Sequence, residues 1–397
     1  MIDKVKRFAR KNKIFYYVVY IIFNLCGYFI SLLFLAMRIF PVRKNKIVCC
    51  NMQGKRCGDN PKYIVDELIK QHPEYEIVWL IKPEYKNEVP AGIRPVNYDI
   101  FHIAYELATA RFWIDSNTKL FGILKRKNQY YIQTWHGSYG LKKSGADIPG
   151  KISLIDKKSV QADARLWDLF LSNSSFISTV YRRALWYDGE IMESGSPRND
   201  LFFQGYERYE DEVKGFFHIQ GKKAVLYAPT YRSDFGTDQY HLDFDLLRSS
   251  LEKRFGGEWV VLVRLHPNNI SDAEKFIEYT DEVINATGYG MMQELLAACD
   301  VLVSDYSSCM FDFVTKKAPC FMYATDVDKY RDERDFYFDI HELPFPLAEN
   351  NQEMEQNILH FDEVKYAQDL QALFYKVGLC DTGNASKQVV EWIVKHT

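Results

Sequence analysis

The stretch DVLVSDYSSCMFDFVTKKAPCFMY, residues 300–323, decides the fold. Asp300–Asp305 is a short apolar run of the kind that forms a strand buried on both faces. Ser307 and Ser308 then stand where hydroxyl residues open a helix. Ala318–Tyr323 is a second apolar run, so the stretch reads as strand, helix, strand. A parallel pair of strands needs such a crossover.

The same alternation extends in both directions. Upstream in this half lie AVLYAPT (224–230), WVVLVRLHP (259–267) and EVINA (282–286). A separate block holds KIVCC (46–50), YEIVWLI (75–81), RFWID (111–115), QYYIQTW (129–135) and DLFLSN (168–173). Pro61–Lys70 and Ile100–Ala110 have helical spacing between them, with Asn60 placed to cap the first. Residues 199–223 are polar and carry no strand signal. Two such blocks imply an α/β protein with two parallel, helix-covered sheets. The expected units are 46–215 and 216–397, and ligands in such folds bind beyond the carboxyl ends of strands.

Residues 1–45 form a separate membrane-associating segment. Residues 1–46 carry ten lysines and arginines against Asp3 alone, whereas the whole chain of 397 residues has a net charge of -3. Between the basic clusters, Ile14–Met37 has no charge at all. That length can span a bilayer, and the run ends without the small residues of a signal-peptide cleavage site. Basic flanks at both ends give no clean orientation. Asn24, Gly27 and Ser31 equally suit a re-entrant or interfacial element with both ends on the cytoplasmic side. Either arrangement predicts contact with membrane lipids at the cytoplasmic face of the cell membrane.

Composition excludes other classes. The near-neutral charge argues against nucleic-acid binding. The eight cysteines form no Cys-x-x-Cys pair and no zinc quartet, so scattered thiols in a reducing compartment are expected, with no metal and no cofactor. Asp326-x-Asp328 reads as a loop.

Chemistry concentrates at four strand ends. In QTWHGSYGLKK (133–143), His136 can act as a general base, and the amides around Gly137, Ser138, Tyr139 and Gly140 can meet phosphate oxygens. In VRLHP (263–267), Arg264 and His266 flank Leu265 and project to one face, where they suit a diphosphate. In SDYSSCMFD (304–312), Ser307 and Ser308 open a helix toward an anion, and Asp312 follows one turn later. GSPRND (195–200) and APTYR (228–232) are turns by composition, and each delivers one arginine, Arg198 and Arg232, to the presumed cleft, where a bidentate phosphate contact is possible.

In this combination and order the motifs resemble the CDP-glycerol glycerophosphotransferase family, which primes or extends wall teichoic acid. The resemblance covers Lys46 to Tyr337 and rests on QTWHGSYGLKKSGAD, GSPRNDLF, LYAPTYR, VRLHP and VSDYSSCMFDFVTKKAPCFMY. Asp326, Tyr330 and Arg331–Arg334 trail them, and GDNPKYIVDEL precedes them. The resemblance implies a GT-B fold, two Rossmann-like domains facing a cleft, and a CDP-glycerol or CDP-ribitol donor. It places catalytic histidines at His136 and His266. Donor contacts fall on Gly137, Ser138, Tyr139, Gly140, Arg198, Pro229, Thr230, Arg264, Leu265, Ser307, Ser308 and Asp312. Ser138-Tyr139 departs from members with Thr-Pro there. The acceptor implied is a hydroxyl of an undecaprenyl-diphosphate-linked lipid, with CMP leaving. A GT-B glycosyltransferase using a nucleotide sugar is the alternative reading of the same cleft.

Overall fold

In the computed structural model, which describes residues 13–137, 140–148, 152–230, 240–265 and 276–397, each apolar run becomes a strand, all of them inside a sheet except EVINA, which forms an edge. The first sheet comprises β1 (Arg43–Cys50), β2 (Glu76–Ile81), β3 (Arg94–Asn97), β4 (Ala110–Asp115), β5 (Tyr130–Gln133), β6 (Leu169–Ser172) and β7 (Glu190–Glu193). Its order is β3-β2-β1-β4-β5-β6-β7. The second comprises β8 (Lys223–Ala228), β9 (Trp259–Val263), β10 (Val283–Asn285), β11 (Val301–Ser304), β12 (Cys320–Tyr323) and β13 (Leu347–Ala348), in the order β10-β9-β8-β11-β12-β13.

Both sheets are parallel, and both begin their winding at a middle strand and reverse direction there, as doubly wound folds do. Register sets apolar side chains against one another. Val48 lies opposite Val78 and Trp113, and Leu226 lies opposite Leu262 and Leu302. β3, β7 and β13 had no clear signal because they are short edge strands, and RPVN and EIME alternate too little to read as buried.

The C-terminal end differs from the expected division at 216. The last helix, Ala385–Lys395, crosses back to the first sheet, where Val389, Val390 and Ile393 pack with Ile47, Trp79 and Ile114. Asp200 accepts from the Ala385 and Ser386 amides at 3.0 and 2.7 Å, and so caps that helix from the first unit. A second link is a short antiparallel bridge between Lys142 and Phe336, extended by Tyr337 N donating to Leu141 O at 2.8 Å.

The N-terminal helix, Lys13–Ala36, is unbroken and lies against the body. Asn24, Gly27, Ser31 and Phe34 recur at helical spacing on the docked face. Asn24 Oδ1 accepts from Lys158, Ser31 Oγ donates to Gly122 O at 2.8 Å, and Phe34 is 1% exposed. The Leu154 amide donates to Tyr16 Oη at 3.0 Å, and Arg126 Nη2 donates to Met37 O at 3.0 Å. The opposite face exposes Tyr17, Ile21, Leu25, Tyr28, Phe29 and Leu32.

Glycine is required where the helix meets the loop. Gly122 has φ +100°, and a Cβ there would stand 2.1 Å from Gly27 O. Gly122→Val should therefore pry the helix from its groove, at about 1–3 kcal/mol, and leave both sheets folded. Limited proteolysis of the Met37–Val42 connection should accelerate; an unchanged cleavage rate would show that the helix does not depend on this groove.

Candidate active site

The site begins where the first sheet reverses, between β1 and β4. Ser116 follows β4, and its Oγ donates to Asn51 Oδ1 at 2.7 Å. Its carbonyl accepts from His136 Nδ1 at 2.7 Å. A carbonyl can only accept, so Nδ1 carries the hydrogen and the neutral ring keeps its lone pair at Nε2. That is the tautomer a general base requires.

The backbone before His136 is strained. Trp135 has φ +54°, a conformation unfavourable for a bulky residue. Three contacts hold it. The Trp135 amide donates to Gln133 Oε1 at 2.9 Å, and Asn60 Nδ2 donates to the carbonyls of Thr134 and Trp135, each at 3.2 Å. The Trp135 ring stacks on His136 with centroids 4.8 Å apart and 23° between planes. Asn60 is thus no helix cap. The helix starts at Asp59, and Asn60 is a buried cross-link inside its first turn.

Arg198 is placed differently from an open cleft ligand. It is 4% exposed, and its Nη1 donates to His136 O and to Asp59 Oδ1, both at 2.9 Å. Its Nη2 pairs with Asp312 Oδ2 of the second unit at 2.8 Å. Burial opposes this charge, but Asp312 and Asp59 outweigh it and hold the guanidinium above its usual range. Asp312, 2% exposed, also accepts from Asn199 Nδ2 at 3.2 Å. The His136 peptide and the Asp312 carboxylate therefore sit one guanidinium apart, which fixes the first unit's histidine against the second unit's strand ends.

Those strand ends meet where the second sheet reverses, between β8 and β11. Pro229 and Thr230 leave β8, and the Thr230 amide donates to Asp305 Oδ1 at 2.9 Å. Ser304 Oγ donates to Ala228 O at 2.6 Å and ties the crevice floor. Ser307 and Ser308 are half-buried at its mouth. The helix that follows is only Cys309–Phe313, and the Ser308 hydroxyl makes no capping bond. Ser307 Oγ accepts a long bond from the Cys309 amide, 3.4 Å. Capping therefore does not account for Ser308.

Arg264 extends from β9 and donates from Nη1 to Tyr289 O at 2.8 Å. Leu265 is 2% exposed, with its amide bonded to Thr287 Oγ1, so its side chain belongs to the core and only its backbone lies near the cleft. A Cβ built on Gly137 would stand 3.6 Å from the Trp135 ring, and Gly140 has φ +27°. Ser138, Tyr139, Arg232 and His266 lie outside the described residues. Asp326 accepts from Tyr306 Oη at 3.0 Å, and Asp328 pairs with Arg331. Among the described residues no three His, Cys, Asp or Glu side chains group as metal ligands.

Behind His136 lies a buried charged cluster. Lys119 Nζ bonds Asp115 Oδ2 at 2.6 Å, and Asp163 Oδ2 accepts from Trp167 Nε1 at 2.9 Å. Burial pushes the Asp163 carboxyl up to about 7. The folded state therefore holds this proton more tightly than the unfolded chain. The associated stability is complete below about pH 4 and is lost as pH rises through about 7, at most about 4 kcal/mol. Asp163→Asn should flatten that slope: between pH 5 and 8 the wild-type melting temperature should fall further than the variant's. Parallel curves would place the Asp163 proton elsewhere.

Comparison with known proteins agrees with this geometry. The family profile of CDP-Glycerol:Poly(glycerophosphate) glycerophosphotransferase matches residues 32–395. The teichoic acid poly(glycerol phosphate) polymerase of Staphylococcus epidermidis is 31% identical over 369 residues, 89% of this chain and 51% of that protein. The chain thus spans about half of that relative. The teichoic acid glycerol-phosphate transferase of Staphylococcus aureus is 30% identical, over 89% of this chain and 93% of its own length. The solved structure of the wall teichoic acid polymerase TagF superposes with a TM-score of 0.78 at 30% identity, covering 89% of each chain. With two parallel doubly wound units in a GT-B arrangement and the matched motifs at their facing edges, the chain belongs to the CDP-glycerol:poly(glycerophosphate) glycerophosphotransferase family.

Proposed function

We propose that the chain transfers glycerol phosphate from CDP-glycerol to a hydroxyl of a lipid-linked acceptor in teichoic acid synthesis. The observation that carries this reading is the His136 ring, held through Nδ1 by the Ser116 carbonyl and set against the Thr230–Ser307–Ser308 crevice by Arg198. Two further lines support it: the family match, and a solved TagF variant soaked with CDPG.

In the proposed step His136 Nε2 takes the proton of the acceptor hydroxyl as its oxygen attacks the phosphorus that bears glycerol. The new oxygen–phosphorus bond forms as the bond to the CMP phosphate oxygen breaks, and CMP leaves. Arg264 and the crevice amides and hydroxyls stabilise the developing charge, the main requirement of phosphoryl transfer. Arg198 acts as a positioning residue through the His136 carbonyl.

Incubation with CDP-glycerol, CDP-ribitol and a UDP-sugar should release CMP from CDP-glycerol fastest. UDP release would favour the glycosyltransferase reading instead. His136→Ala should lower turnover by about 10²–10⁴ with an unchanged melting temperature. A variant that keeps more than about a tenth of the activity rejects His136 as the base.

The N-terminal helix is proposed to lie in the cytoplasmic leaflet without crossing it. It is docked from Tyr16 to Met37, and its midpoint bonds Lys158 of the body. A spanning helix so docked would carry Lys158 into the apolar core, at a cost of about 2.5–3.5 kcal/mol or more. The exposed face of Ile21, Leu25 and Phe29 fits the acyl boundary instead, with the basic flanks at the headgroups. The reading is supported by Tyr16, whose hydroxyl accepts from the amide of Leu154, the first residue of the helix after the His136 loop, the side from which a lipid-borne acceptor would approach. An impermeant amine reagent added to the cytoplasmic side of inverted vesicles should modify Lys11 and Lys44 alike. Modification of only one flank would show a span.

A further inference from the structure

The loop that leaves β1 is strained without an assigned purpose. Met52, Gln53, Arg56 and Asp59 all have positive φ, from 44° to 62°. Strain of this kind persists only where surrounding contacts impose it, and it clusters at functional sites. At Arg56 the contacts aim the guanidinium. Glu88 accepts from Arg56 Nη1 at 3.1 Å and from the Cys57 amide at 3.3 Å, and the Tyr85 ring lies 5.6 Å from the guanidinium carbon. The group thus reaches the other unit: a Cβ built on Gly290 would stand 3.7 Å from Arg56 Nη1.

Arg264 approaches the same segment from the second unit and donates to Tyr289 O at 2.8 Å. Among the described residues no carboxylate forms an ion pair with Arg264. Burial first, and then the charge of Arg56, push the Arg264 guanidinium down to about 10. Two cations converging on one turn, one of them half-buried with no carboxylate partner among the described residues, are unfavourable until an anion joins them. Guanidinium pairs are also the side chains best matched to phosphate oxygens.

We propose that Arg56 is a phosphate-binding residue, closing with Arg264 from the facing unit on a phosphate or diphosphate group at the Tyr289–Gly290 edge of the cleft. The proposal rests on the phosphotransferase reading for the identity of that anion, which is either the donor diphosphate or a phosphate of the acceptor. Glu88 holds Arg56 in place and competes with the anion for it.

Calorimetric titration of the full chain in detergent tests this with CDP-glycerol, cytidine and inorganic diphosphate. Arg56→Ala should weaken CDP-glycerol binding about tenfold or more and leave cytidine binding unchanged, with Arg56→Lys in between. Glu88→Gln should tighten it. If donor affinity is unchanged but the KM for a lipid tipped with glycerol phosphate rises by a similar factor, the clamp holds the acceptor. If neither changes, or if Arg56→Ala does not fold and Glu88→Gln fails to tighten either ligand, the proposal is overturned. Arg56-dependent binding of inorganic diphosphate by a protein that ignores CDP-glycerol would sink the donor assignment and leave the clamp standing.

Discussion

One buried guanidinium organises the molecule. Arg198 reaches the helix start at Asp59, the carbonyl of His136 and the carboxylate of Asp312, so a single planar group joins two chain segments of the first unit to the second. Its neighbours extend the junction. The Arg198 amide donates to Asn60 Oδ1 at 3.1 Å, and Asn199 divides its amide between Asp312 and Asp381. A buried charge of this kind is tolerated only when every partner is present. That condition ties the strained backbone at Trp135, and with it the His136 ring, to the relative placement of the two units.

Much of the fold was legible in the sequence because parallel strands covered on both faces read as unbroken apolar runs. KIVCC, YEIVWLI, WVVLVRLHP and DVLVSD became β1, β2, β9 and β11 for that reason. Of the four edge strands only β10 was legible, as EVINA; β7 keeps two exposed glutamates and β13 is two residues long. The return of the last helix was equally hidden. Its apolar stripe announces burial but not against which sheet, and that choice is made by Asp200 capping it from 185 residues away.

The site was legible as residue types at strand ends and illegible as contacts. His136, Arg264, Thr230 and the two serines stand at the strand ends where doubly wound sheets bind ligands. Arg198 and Asp312 were recognised separately as ligands of a substrate, yet they are partners of each other across 114 positions of sequence. Ser116 could have been found by the same rule, because it directly follows RFWID. Asn60 was seen but given the role its position before Pro61 suggests, while its amide is used to hold the Trp135 backbone. The charge asymmetry was visible as well, but only the docked polar face of the N-terminal helix shows that the apolar stripe and the body carrying the cleft belong together.

Arg198 and Asp312 act as one unit to hold the cleft. A double-mutant cycle with Arg198→Met and Asp312→Asn, read by chemical unfolding and by CMP release, tests it most directly. Coupling should be strong in both readouts, about 1 kcal/mol or more, because either single change strands a buried charge or dipole and the second adds little. Losses that add to within about 0.5 kcal/mol would show two independent residues that do not share the work of holding the cleft.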